Sequence, residues 1–173
     1  MPPHCDTMDG PVVVAAKIAL ERGNVNYILP WVPKESENEI ISAFQKVLSA
    51  RKNGNEAKEV ADLWFFETVV RVHRAGEKAP YTGLKPAGLD EGPVIPLVEE
   101  AIKTGSPLEL TDFLNKAING EITKKFDLVM KKKKYDVNNV EEGRHFVHAF
   151  LDLTLYSHHL YGFIKHSDQH KEK

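Results

Sequence analysis

The sequence predicts an all-α protein, a single-domain bundle of about six or seven helices with one long irregular loop. Three observations predict it. Apolar residues recur at helical spacing in several stretches, and capping residues, first-turn prolines and closing glycines punctuate those stretches from end to end. Strand signals, by contrast, are confined to Val25–Trp31.

Asp9-Gly10-Pro11 opens an apolar run from Val12 to Leu20 that Gly23-Asn24 closes, with Pro11 in a first turn where its missing N–H does no harm. Val25–Trp31 has strand-like composition, limited by Pro30 and Pro33. Ser36 and Glu39 have capping-box spacing ahead of Ile40, Ile41, Phe44, Val47 and Leu48, a run that stops at Asn53-Gly54. Asn55 is placed to cap the next helix, which carries Val60, Leu63, Trp64, Phe65, Phe66, Val69, Val70 and Val72 before Gly76. A helix apolar on nearly every side belongs at the centre of a fold.

Glu77 to Gly92 holds Pro80, Gly83, Pro86, Gly88 and Gly92 and is expected as an irregular loop. At about 16 residues it exceeds ordinary connections, and such loops are often functional. Ser106-Pro107-Leu108-Glu109 reads as a second capping box, opening a short helix that Asn119-Gly120 ends. A further helix carries Ile122, Phe126, Leu128 and Met130 into Lys131–Lys134, and a last one starts near Asn139 and runs to about Ile164. One domain over 1–165 and a disordered polar tail over 166–173 follow from this reading.

The 173 residues suit one domain with one core, and 42% hydrophobic with 28% charged residues is the balance of a soluble globular chain. A net charge of −2 gives no reason to seek nucleic acid, and Lys131–Lys134 reads as a solvated helix end. No apolar run approaches the roughly 18 residues of a membrane span. The start, Met1-Pro2-Pro3-His4, has neither the basic nor the apolar segment of a secretory signal, so a cytoplasmic protein is expected. A homo-oligomer is compatible with all of this.

Candidate chemistry is concentrated in a few places. Along the last helix His145, His148, Asp152, Tyr156 and His159 fall within about 80° on a helical wheel, a stripe able to hold a metal or relay protons, or simply to face solvent. Glu142 with His145 reproduces a Glu-x-x-His spacing, but a helix capped by Asn139 explains Glu142 without metal. On the central helix, Glu67 and Arg71 at i and i+4 can satisfy each other as an ion pair, or Glu67 can be a functional carboxylate. Cys5, the sole cysteine, beside His4 and Asp6, could be a soft metal ligand or a nucleophile. No phosphate loop, Ser-His-Asp elbow, Cys-x-x-Cys or His-Glu-x-x-His occurs.

Three segments together resemble an uncharacterised family of microbial helical proteins, a domain of unknown function: His4 to Pro11; Phe65-Phe66-Glu67-Thr68 through His73-Arg74-Ala75-Gly76-Glu77 to Tyr81-Thr82-Gly83-Leu84-Lys85-Pro86; and Glu142-Gly143-Arg144. The resemblance spans nearly the whole chain and brings no reaction with it. It implies that His4, Cys5, Asp6, Glu67, His73, Arg74, Glu77, Tyr81 and Lys85 define the motif, whereas His145 and His148 depart from the acidic residues of those family positions. The amino-terminal His-Cys-Asp is also similar to the start of mature nickel superoxide dismutase. This chain departs from that pattern, because three residues precede His4 and no second cysteine follows Cys5.

The resulting expectation is a site where the His4-Cys5-Asp6 segment meets the end of the central helix and the long loop. His4, Cys5, Glu67 and His73 would ligate zinc, nickel or copper, while Asp6, Arg74, Glu77, Tyr81 and Lys85 would hold a small anionic ligand. The stripe His145, His148, Asp152 and His159 is the second choice for a metal. One alternative is a non-enzymatic binding or oligomerising bundle in which the motif residues pin the amino-terminal segment and loop to the helices. The other is a metal-independent enzyme using the Cys5 thiolate with His4 or His73 as base.

Overall fold

The computed structural model describes residues 3–166. The described residues form six α-helices: α1 Pro11–Arg22, α2 Glu37–Ala50, α3 Asn55–Gly76, α4 Val94–Thr104, α5 Leu108–Lys132 and α6 Val140–His166. Among the described residues no strand forms, and the one isolated bridge pairs Thr7 with Lys85 in parallel. The protein is therefore an all-α helical bundle, as its punctuation predicts. No described helix is long and apolar enough to cross a membrane. The polar tail expected after residue 165 lies outside the described residues from residue 167 onward, and His166 still belongs to α6.

The chain divides into two compact units, residues 1–93 and 94–173. In the first, α3 packs against both α1 and α2. Val12, Val13 and Ala16 of α1, Ile40 of α2, and Phe65, Val69 and Val70 of α3 lose all contact with solvent. Phe44 tilts onto Phe65 with ring centroids 5.8 Å apart. The centrality expected of α3 holds for its second half, while Val60, Leu63 and Trp64 in its first half stay 69%, 42% and 46% exposed.

Local chemistry explains where helices begin and end. Gly23 closes α1 with φ +64° and its N–H on the Ala19 carbonyl, a left-handed cap that costs glycine nothing. Val25–Trp31 is not a strand. It folds into two 3-10 turns, Val25–Tyr27 and Leu29–Trp31, because Pro30 and Pro33 lack the donors a ladder needs and a turn suffices to bury Ile28. Asn24 fixes the first turn by accepting from the Asn26 amide at 3.0 Å. Ser36 precedes α2 without a side-chain cap, because a 3-10 turn leads into the helix; Glu39 reaches instead across to Arg71. α3 likewise starts from Gly54, with no side-chain cap.

In the second unit α5 lies along α6 and α4 packs on α5. The short helix expected to end at Asn119-Gly120 runs on without a break to Lys132. An isolated glycine weakens a helix by about 1 kcal/mol without ending it when packing continues on both sides. A Cβ at Gly120 would meet nothing within 4 Å. Gly120→Ala is therefore expected to stabilise the protein by about 0.5–1 kcal/mol in urea unfolding, through lower entropy of the unfolded chain. Asn139 caps α6 as expected, accepting from the Glu142 amide at 3.2 Å.

Candidate functional site

The amino-terminal segment reaches the rest of the first unit as a 3-10 turn, Pro3–Asp6, followed by backbone pairing with the long loop. The Lys85 amide donates to the Asp6 carbonyl at 2.8 Å and the Met8 amide to the Lys85 carbonyl at 3.0 Å. Thr7 Oγ1 donates to the His4 carbonyl at 2.9 Å. Asp9 then caps the loop, accepting from the Gly88 amide at 2.8 Å, a bond that holds its carboxyl below the usual range. These bonds place His4, Cys5 and Asp6 against the last turn of α3.

There an ion cluster closes the joint. Arg74 Nε donates to Asp6 Oδ1 at 2.6 Å and its NH1 donates to Glu77 Oε2 at 3.0 Å. The Arg74 and Asp6 side chains are 4% and 5% exposed, so two charges are held out of water by one another. Such a pair needs close geometry to offset its desolvation, and a guanidinium fork facing two carboxylates supplies it. His73, one residue earlier, packs its ring edge-on to Trp31 and places Nδ1 2.7 Å from the Trp31 carbonyl, so Nδ1 is the nitrogen that carries hydrogen. Its Nε2 lies 3.3 Å from Glu77 Oε1, close enough for charge pairing when protonated but not aligned for a hydrogen bond.

Cys5 is buried, with its Sγ 3.8 Å from His4 Nε2. Burial pushes the thiol up; Arg74 opposes this, and the Glu77, Asp6 and Glu91 carboxylates add to it. The thiol, not the thiolate, is favoured. Iodoacetamide at neutral pH should label Cys5 far more slowly than a free thiol, with labelling rising only above the ordinary thiol range. Rapid labelling near pH 7 would restore the nucleophile reading.

Five polar side-chain atoms of the described residues are buried without a hydrogen bond: His4 Nδ1, Asp62 Oδ1, His73 Nε2, Tyr81 Oη and Glu91 Oε1. Two of them face an ion-pair partner, Asp62 with Arg51 and His73 with Glu77. His4 Nδ1, Tyr81 Oη and Glu91 Oε1 have no such neighbour. His4 adjoins the Cys5-Asp6 segment in the chain, while the Glu91 carboxylate is among the causes that raise the Cys5 thiol and the Asp6 carboxylate among those that raise the Tyr81 phenol. Burial, and after it the Glu67 carboxylate, raises the Tyr81 phenol; the Leu84 amide opposes them without being placed to hydrogen-bond Oη.

The expected metal set is not assembled. His4 and Cys5 adjoin, but His73 is turned to Trp31 and Glu77, and Glu67 is exposed on the groove between α2 and α3. Among the described residues no three His, Cys, Asp or Glu side chains group as a metal ion would require. The same holds for the second-choice stripe. Asp152 pairs with Lys125 at 2.8 Å, Lys125 also covers the Tyr156 ring, and His145, His148 and His159 are exposed.

Other expectations change too. Arg71 pairs with Glu39 of α2 rather than with Glu67, because the facing helix offers a carboxylate nearer than its own turn does. Lys85 acts through its backbone, and its ammonium donates to the Thr82 carbonyl at 3.3 Å. Sequence reasoning missed Glu91, a loop carboxylate with no motif around it.

Fold and site together define an all-α protein in which an amino-terminal turn and a long loop are clasped to the end of a buried helix by ion pairs. The chain belongs to a family of unknown function, DUF6448, matched over residues 9–156, which leaves His4, Cys5 and Asp6 just outside the match. No curated protein and no solved structure matches it.

Proposed function

We propose that this protein binds a small polar ligand where the His4-Cys5-Asp6 turn, the end of α3 and the loop over 77–93 meet. The reading is carried by the three buried atoms without partners, His4 Nδ1, Tyr81 Oη and Glu91 Oε1. Each such atom costs about 1–3 kcal/mol when nothing satisfies it, a large sum beside a net stability of about 5–15 kcal/mol. A bound molecule that supplies their hydrogen bonds removes the cost. The buried Cys5, whose thiol burial pushes up, and Arg74, whose Nε and NH1 are given to Asp6 and Glu77, favour binding over catalysis.

The test compares wild type with Tyr81→Phe, each as purified and again after unfolding and refolding in ligand-free buffer. Wild type should lose melting temperature on refolding and the variant should lose much less, because it lacks one of the ligand's partners. Identical behaviour of both proteins in both states would overturn the reading.

A zinc, nickel or copper ion is the second reading, favoured by one observation. The 3.8 Å between His4 Nε2 and Cys5 Sγ is close to the roughly 3.6 Å that two ligands of one tetrahedral ion span. A third donor would have to move in. Elemental analysis of protein purified without chelator decides it: near-stoichiometric metal that is lost in Cys5→Ser supports the ion, and no metal after reconstitution under reducing conditions removes it.

A further inference from the structure

We infer that this protein forms a two-fold symmetric dimer through α6, which packs antiparallel against α6 of a second copy. The second unit is short of a core. Among its described residues only Val129 and Ala149 are buried hydrophobics, whereas α1, α2 and α3 of the first unit bury a continuous cluster. The less exposed residues of α6, Phe146, Ala149, Leu153, Tyr156 and Leu160, share one side, where Lys125 of α5 covers the Tyr156 ring. Val140, Val147, Leu151 and Leu155 lie on the opposite side, within about 80° of one another on a helical wheel. They stay 60%, 48%, 48% and 52% exposed. Scattered apolar residues on a surface are ordinary, but four in one stripe at helical spacing form the seam of a helix pair. With Phe150 and Tyr161 on its edge and Val137 at its start, this face exposes on the order of 700 Å² per copy, near the roughly 800 Å² per partner of a standard interface.

Shape and charge point to a second copy as the occupant. Gly143, where an added Cβ would come within 3.0 Å of the Tyr135 ring, leaves a hollow between Val140, Arg144 and Val147 that belongs to a groove of about 480 Å³. When two α6 helices run antiparallel about an axis level with Ala149, Leu155 of each copy meets Gly143 of the other and Val147 meets Leu151. The hollow and the side chain that fills it then come from the same surface, as a closed two-fold interface requires. Charge sets the direction. Antiparallel order brings Glu141 and Glu142, in the first turn of one copy, level with His158 and His159 of the other, whereas parallel order would set carboxylate against carboxylate.

The experiment is light scattering of the full chain behind size exclusion, loaded from roughly 1 to 100 μM, with circular dichroism to verify helix content. Wild type should run at twice the 19.5 kDa chain mass and dissociate on dilution. Leu151→Glu and Leu155→Glu replace half-exposed side chains, so a folding defect in one leaves the other, and each should weaken the dimer about tenfold or more. Val60→Glu, the same kind of change on the exposed start of α3, should leave the dimer intact. Wild type that is monomeric throughout overturns the inference, as does a dimer that both α6 variants leave unchanged. Direction is read by cross-linking with the buried Cys5 left in place: on mild oxidation Val147→Cys mixed with Leu151→Cys should form a disulfide between copies more readily than either does alone. Preferential cross-linking of Val147→Cys to itself would overturn the antiparallel packing.

Discussion

Arg74→Ala is expected to lower the stability of the protein by about 3–5 kcal/mol, the loss found when one partner of a buried pair is removed and the other stays charged. Asp6 is almost wholly buried and Glu77 largely so, and both lose their donor at once. The melting temperature should fall on the order of 10 °C or more. Arg74→Lys should recover only part of this, because a single ammonium cannot reproduce the fixed Nε and NH1 directions that meet Asp6 and Glu77. Arg74→Met combined with Asp6→Asn should recover more than Arg74→Met alone, since no unpaired charge is then left at Asp6. Urea unfolding followed by circular dichroism reads all of these, and a loss below about 1 kcal/mol for Arg74→Ala would mean the pair is solvated like an ordinary surface bridge.

The second large effect is expected at Gly10. An added Cβ would sit 1.8 Å from the His4 carbonyl oxygen and 2.8 Å from Thr7 Oγ1. The first of these is backbone and cannot swing aside, so Gly10→Ala must unseat the Pro3–Asp6 turn from α1. A cost of about 1–3 kcal/mol follows from the overpacking. Because the same turn buries Cys5, the variant should also be labelled by iodoacetamide faster than wild type. Unchanged stability together with unchanged labelling would show that the turn is not seated against Gly10.

How much of this was legible in the sequence depended on whether the determinant was local. Pro11, Gly23 and Asn139 mark helix ends by their own backbone chemistry, and α1 and α6 fall where those residues put them. Val25–Trp31 is rich in β-formers, yet a strand needs a partner, and in its absence proline and a buried Ile28 made turns the better solution. Asn119-Gly120 has the composition of a helix end, but the packing of α5 along α6 overrides it. α4 follows Gly92-Pro93 and precedes Gly105, punctuation that served elsewhere to mark helices.

The site was legible as a set of residues and not as a set of contacts. The family resemblance marked Asp6, Arg74, Glu77 and Tyr81, but nothing in the chain states that Arg74 takes Asp6, 68 positions away, as its partner. His73 is held by a main-chain carbonyl, which leaves no trace in residue identity. Glu67 looks like a neighbour of Arg71 on the helical wheel, and the facing Glu39 takes its place. Glu91 became visible only through an oxygen buried without a donor.

The measurement that bears most directly on the central claim is native mass spectrometry of tag-free protein, purified gently without chelator, beside Glu91→Gln. The account predicts a bound small molecule on wild type that is absent or much reduced on the variant. Both proteins at their bare chain masses, under conditions that preserve the fold, would contradict it.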